Sequence, residues 1–113
     1  PDRYVNQVKF IDFIKNKDLN FIKPDYKKFP ALSLKKLVSN SIFAKSTIIV
    51  LNAANEIAVD NFLKKNIKFD DIVKTIKKTI YKYKHIEVKT LKDVLSVDYE
   101  ARLLTKNIIK KNN

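Results

Sequence analysis

The spacing of apolar residues changes character at Pro30. Before it, Val8, Phe10 and Ile11 precede Asp12 and Phe13, and Leu19, Phe21 and Ile22 follow an Asn-Lys-Asp stretch. Asn20 separates Leu19 from Phe21, a brief period-2 alternation that predicts one short strand. Pro24 and Pro30 punctuate this stretch and bias the residues before them away from helix. Residues 1–30 are therefore expected to be an extended linker arm with a short strand, and such an arm needs another body to pack on.

From Pro30 the period becomes helical. Pro30 suits a first turn, and Leu32, Leu34, Leu37 and Val38 predict a short helix to about Ser39, followed by the polar linker Ser39-Asn40-Ser41. Ser46 or Thr47 is the expected cap of a second helix reaching about Lys65. At 100° per residue, Ile48, Leu51, Val59 and Phe62 share one side of it, with Val50 and Ile57 opposite. Only a narrow stripe at Ala53, Asp60 and Lys64 suits water, the pattern of a central, buried helix.

Asp70 is the expected cap of a third helix, Asp71 to about Lys84, in which Ile72, Val73, Ile76, Ile80 and Tyr83 form one apolar stripe. Lys74, Lys77, Lys78 and Lys82 fill its other face. Thr90 with Asp93 is a capping pattern ahead of Leu91, Val94 and Leu95. A last helix is expected over Val97–Lys110, with Tyr99, Ala101, Leu104 and Ile108 inward and Lys110-Lys111 at the favourable end of its dipole. The fold class is mainly α: an arm with a short strand, then a four-helix, bundle-like domain over residues 31–113.

Composition removes many functions. The 113 residues contain no glycine, so no Gly-rich phosphate-cradling loop of the usual kind is present. They contain no cysteine, one histidine (His85) and three glutamates (Glu56, Glu87, Glu100). Disulfides, thiolate metal sites, histidine clusters and Ser-His-Asp sets are thereby excluded or nearly so, and the lack of cysteine fits a reducing cytosol. The longest apolar run, Ile48–Leu51, is far too short for a bilayer, and no charged-then-apolar leader suggests export. Methionine is absent too, which leaves open that the chain is a fragment.

The net charge of +12 raises nucleic acid as a partner. Against it, the cations are almost all lysine, with only Arg3 and Arg102 able to make bidentate contacts, and they are spread along the whole chain. The five tyrosines make no aromatic–basic alternation of the kind that stacks bases. A lysine-coated soluble surface accounts for the charge, and the basic polyanion-binding module is kept as the alternative.

One segment stands out: Leu51-Asn52-Ala53-Ala54-Asn55-Glu56-Ile57-Ala58. The expected projection puts Asn55 among Leu51, Val59 and Phe62, with Asn52 beside it. Buried amides need partners, since an orphaned one costs about 1–3 kcal/mol. Either they orient a ligand, or they clamp neighbouring backbone; no other reactive group converges there, which favours the clamp. Asn52, Asn55 and Glu56 are thus the structural candidates. Asp70-Asp71 reads as a cap and a dipole partner rather than a paired carboxylate, and His85 as a surface residue at a helix end.

Three stretches together carry a resemblance. They are Pro1-Asp2-Arg3 through Phe29-Pro30; Val50-Leu51-Asn52-Ala53-Ala54-Asn55-Glu56-Ile57-Ala58-Val59 with Ile67-Lys68-Phe69-Asp70-Asp71-Ile72; and Asp93-Val94-Leu95-Ser96-Val97-Asp98 with Ala101-Arg102. In this order and spacing the chain resembles the last third of the 1-deoxy-D-xylulose 5-phosphate reductoisomerase family, from Pro1 to about Ile109. The resemblance implies a cytosolic or plastid homodimer that uses NADPH and Mg²⁺ or Mn²⁺ to convert 1-deoxy-D-xylulose 5-phosphate into 2-C-methyl-D-erythritol 4-phosphate, in non-mevalonate isoprenoid synthesis. It also implies that the NADPH turn, the metal carboxylates and the substrate-phosphate residues all precede Pro1. No catalytic, cofactor or metal residue is therefore assigned here. The implied partner is the remainder of the reductoisomerase chain, and the chain by itself is expected to be inactive.

Overall fold

The computed structural model describes residues 12, 14–15 and 20–111. The arm up to Ile11, together with Phe13 and residues 16–19, lies outside the described residues, and so does Leu19 of the expected strand. Among the described residues there is no β-strand: Asn20–Asp25 has no regular structure, and a single strand without a neighbouring edge has nowhere to place its backbone hydrogen bonds. Asp25 then closes a turn by accepting from Lys27 N (2.8 Å) and Lys28 N (3.1 Å), and every residue from 20 to 32 is exposed.

A 3-10 turn, Pro30–Ser33, leads into α1 (Leu34–Ser39). Then come α2 (Ala44–Leu63), α3 (Phe69–Lys82) and α4 (Leu91–Lys110). α2 packs against α1, α3 and α4, and α3 also packs on α4, so α2 is the central helix as its apolar content predicted. The core joins Leu34, Val50, Ala53, Ala54, Ile76, Ile80, Val88, Val97 and Ala101.

α2 meets that core with the side opposite to the expected one. Ser46, Thr47, Val50, Ala53, Ala54 and Ala58 are buried, whereas Ile48 is 46 % exposed and Asn52, Asn55 and Leu63 face outward. Bulk apolarity pointed to the large side chains, but small ones let neighbouring backbones approach closely, and close packing decides the interior. Ser46 and Thr47 are not caps. Ser41, before the helix, accepts from Phe43 N (3.1 Å), and the Thr47 hydroxyl lies 2.8 Å from Ser41 Oγ and 3.0 Å from the Phe43 carbonyl.

The end of α2 turns without glycine. Lys65 takes a left-handed φ of 61°, Lys65 N donates to the Phe62 carbonyl (2.9 Å), and Asn66 N donates to the Asn61 carbonyl (2.9 Å). These bonds form a Schellman motif with lysine where glycine is usual. Instead of an apolar contact, Asn66 Nδ2 donates to Asn61 Oδ1 (3.0 Å) across the motif.

α3 follows its expected stripe, with Ile76 and Ile80 buried and Ile72, Val73 and Tyr83 partly so. Its cap differs: the helix begins at Phe69, and Asp71 rather than Asp70 reaches back to accept from Lys68 N (3.3 Å). α4 begins at Leu91, ahead of the expected Val97, directly behind the Thr90–Asp93 capping box. Asp93 accepts from Thr90 N (2.8 Å) while Thr90 Oγ1 accepts from Asp93 N (3.2 Å). Ala101 and Ile108 are inward and Leu104 partly so, but Tyr99 is 65 % exposed, a correction to its inward placement.

Candidate functional site

Of the polar residues singled out by sequence, Glu56 lies at the seam between α2 and α4. Arg102 donates through Nε and Nη2 to the two carboxylate oxygens of Asp98, one turn earlier (2.7 and 3.1 Å), and through Nη2 to Glu56 Oε2 on α2 (2.7 Å). A forked guanidinium suits such a pairing, where lysine would offer a point charge. The hydrogen bonds it donates to Asp98 and then to Glu56 hold the guanidinium even more firmly protonated than usual. The seam is only part-buried, so this is an orienting tie more than a large stabilisation. Sequence reasoning missed it, although Asp98 and Arg102 stand at the i,i+4 spacing that pairs opposite charges.

Glu56 is thus placed in a role, but Asn52 and Asn55 are not clamps within the domain. Both are exposed on the outer side of α2, and neither side chain bonds to another described residue. The expectation that these amides are buried is corrected by the reversal of the α2 face.

His85 is not a free surface residue either. Its Nε2 lies 2.9 Å from the Ile80 carbonyl and its Nδ1 3.2 Å from Ser46 Oγ. A carbonyl only accepts, so Nε2 carries the proton, and in the neutral ring Nδ1 accepts from the serine. The ring therefore ties the segment after α3 to the first turn of α2. Tyr83 packs edge-on against it (5.4 Å between ring centres) and donates to Glu100 Oε2 on α4 (2.9 Å). Burial, then the bond to Glu100 and its charge, push the phenol up to about 12.

An open groove of ≈ 520 Å³ lies between the first turn of α2 and Ile86–Lys89, lined in part by Phe43, Lys45 and Ser46. Ser46 on its lining is paired with His85, but the serine is fully buried and the ring's other nitrogen bonds the Ile80 carbonyl, so no carboxylate orients the pair. Among the described residues no group of three or more His, Asp or Glu side chains could hold a metal ion. Asp98 and Glu56, the two carboxylates on the α2–α4 seam, are both engaged by Arg102. With no glycine in the chain, no loop lets a phosphate approach bare backbone. The described residues do not fit a resident metal or dinucleotide. Among the described residues, no helix is long and apolar enough to cross a membrane.

Comparison with known proteins gives these features a setting. The family model described as the DXP reductoisomerase C-terminal domain matches residues 1–104. A 1-deoxy-D-xylulose 5-phosphate reductoisomerase of Wolbachia pipientis subsp. Culex pipiens (strain wPip) is 44 % identical over 111 residues, 97 % of this chain and 28 % of that protein. The enzyme of the same name from Proteus mirabilis (strain HI4320) is 41 % identical over 109 residues, 96 % of this chain and 27 % of the relative. Among solved structures, the Zymomonas mobilis reductoisomerase in complex with NADPH superposes with a TM-score of 0.79 at 39 % identity. That match covers 96 % of this chain and 28 % of the Zymomonas chain. The chain thus spans little more than a quarter of the length of these relatives.

Proposed function

The chain belongs to the 1-deoxy-D-xylulose 5-phosphate reductoisomerase family as its C-terminal domain, and from that premise we propose that it is the helical buttress of an NADPH-dependent enzyme whose reacting groups lie in the remainder of the protein. The observation that carries this reading is the mismatch of coverage: the relatives match 97 % of this chain with only 28 % of their own length. The full activity is the conversion of 1-deoxy-D-xylulose 5-phosphate to 2-C-methyl-D-erythritol 4-phosphate, a step of non-mevalonate isoprenoid synthesis. It takes place in the cytoplasm, in a homodimer, with NADPH and Mg²⁺ or Mn²⁺ bound outside this chain.

In this reading residues 1–30 are a linker arm that packs on the catalytic part, and residues 31–113 are the helical domain. The exposed Phe21 and Ile22 are the kind of side chains such a contact would cover, and the short strand around them would form there. Asn52, Asn55 and Glu56 serve structure rather than chemistry. The polyanion-binding alternative gains no support from the relatives.

The test is direct. The chain alone, given NADPH, Mn²⁺ and 1-deoxy-D-xylulose 5-phosphate, should oxidise no NADPH at 340 nm. Joined to the upstream part of a related reductoisomerase, it should restore turnover. Measurable oxidation by the chain alone would overturn the assignment.

A further inference from the structure

We infer that the α2–α4 seam is the surface by which this domain docks onto the upstream part of the reductoisomerase polypeptide; the inference rests on the reading given under Proposed function and names the face that reading needs. On α4, Leu91, Leu95, Tyr99 and Leu103 follow one another every fourth residue and stay outside the core, Leu91 at 72 % and Leu95 at 62 % exposure. Residues four apart form one ridge of a helix, and interdigitating such ridges is the commonest way globular helices pack. This ridge has nothing to pack against among the described residues.

Arg102 is next to Leu103, one turn from Tyr99, and crosses to Glu56 on α2. The ridge therefore borders the outer side of α2, where Ile48 is half exposed and the Asn52 and Asn55 amides have no bonding partner among the described residues. Together these make an apolar ridge, an ion-paired cluster of one guanidinium with two carboxylates, and two amides open among the described residues. That composition resembles the core and polar fringe of a protein contact more than a solvated face. On α3, by contrast, the exposed positions Lys74 and Lys82 are charged.

The choice of occupant follows from length and charge. In the Zymomonas enzyme a domain of this fold is joined to the other 72 % of one polypeptide (28 % being matched here), which offers a covalently tethered partner at high effective concentration. A second copy of this chain would bring together two bodies of charge +12, which repel.

The experiment mixes the 113-residue chain with the Zymomonas reductoisomerase lacking its matched C-terminal part, confirmed as folded by circular dichroism, and follows association by sedimentation velocity. The wild-type chain should form a one-to-one complex. Leu95→Asp with Tyr99→Asp should weaken it at least tenfold, while Tyr81→Asp on α3 should leave it unchanged. Should the double variant fail to fold, Asn55→Arg, at an exposed position without bonds, is expected to weaken the complex by the same order. Complex formation insensitive to these changes overturns the docking face and leaves the buttress reading standing. A chain that pairs only with itself through the ridge overturns it in favour of a second copy. No association by the wild-type chain removes the buttress reading and the docking face together.

Discussion

Replacing Lys65 by glycine should make the chain more stable. Lys65 holds φ at 61°, where a Cβ crowds the following carbonyl, and a non-glycine residue there carries a cost of about 1–2 kcal/mol. Glycine removes that cost but gives the unfolded chain more freedom, which offsets about 0.4–1 kcal/mol. The side chain itself is exposed, and both Schellman bonds use backbone, so nothing else is lost. The net gain is about 0.5–1 kcal/mol, which for a domain of this size is roughly 2–8 °C in Tm. Thermal unfolding followed at 222 nm measures it. Lys65→Ala is the control: it keeps the Cβ and should move Tm little. A glycine variant no more stable than the alanine variant would refute the argument, because it would mean the left-handed residue is not where the strain lies.

Ala54→Leu forces extra volume into the fully buried face of α2 and should cost about 1–3 kcal/mol, read as a lower urea midpoint with unchanged slope. Arg102→Lys keeps the charge but loses the fork that joins Asp98 to Glu56; at this part-exposed seam the loss should be about 0.5–1 kcal/mol and should shrink in 1 M salt. Stability should bend at both ends of the pH scale. Backbone bonds from Thr90 and Lys89 lower the Asp93 carboxyl below its ordinary 3.8, so its contribution is present above that pH and is lost as pH falls further. Tyr83 runs the other way: its contribution is complete below 10 and disappears as pH rises through about 12. Asp93→Asn should flatten the acid limb of Tm against pH, and Tyr83→Phe the alkaline limb. Asn55→Ala should leave the Tm of the isolated chain unchanged, since the amide is exposed and bonds to none of the described residues; a loss of several degrees would restore the internal clamp.

How well each helix could be read depended on what its faces are built from. α3 alternates isoleucine with lysine at helical spacing, so one apolar face stands out and Ile76 and Ile80 are buried as it requires; Thr75 and Thr79, buried beside them, lay outside the expected stripe. The Thr90–Asp93 box was legible for a related reason: two short polar side chains three apart satisfy two open amides at once. α2 defeated the same method because both of its faces are apolar and only side-chain size distinguishes them. α4 was started late because Leu91 and Leu95, which begin it, point away from the core and break the inward pattern. In the site, Asp98 four residues before Arg102 was readable in principle. Glu56 is not a local partner of Arg102: the two lie 46 residues apart and meet only when α2 and α4 pack. Lys65 was beyond reach as well, since a left-handed lysine gives no sign in sequence where glycine would.

The reversal of α2 bears on function as much as on fold. A helix that lies at the centre of its own domain, yet turns Ile48 outward beside two unbonded amides, has been packed on one side only. Were Asn52 and Asn55 simply solvated positions, lysine or glutamate would serve them equally well, as lysine does along α3. Were the outer side a hidden core, the amides would need partners inside the domain, and the described residues supply none. A contact that is apolar in part and demands neutral hydrogen-bonding groups in part satisfies both facts. Arg102 fits the same logic: bound at once to Asp98 and Glu56, it fixes the relative position of the two helices that flank the contact and leaves no unpaired cation at its centre. On the proposed reading, the chemistry that the described residues do not assemble and the face they leave uncovered are two consequences of one division of labour, in which this domain presents a shaped surface to the part of the enzyme that carries the reacting groups.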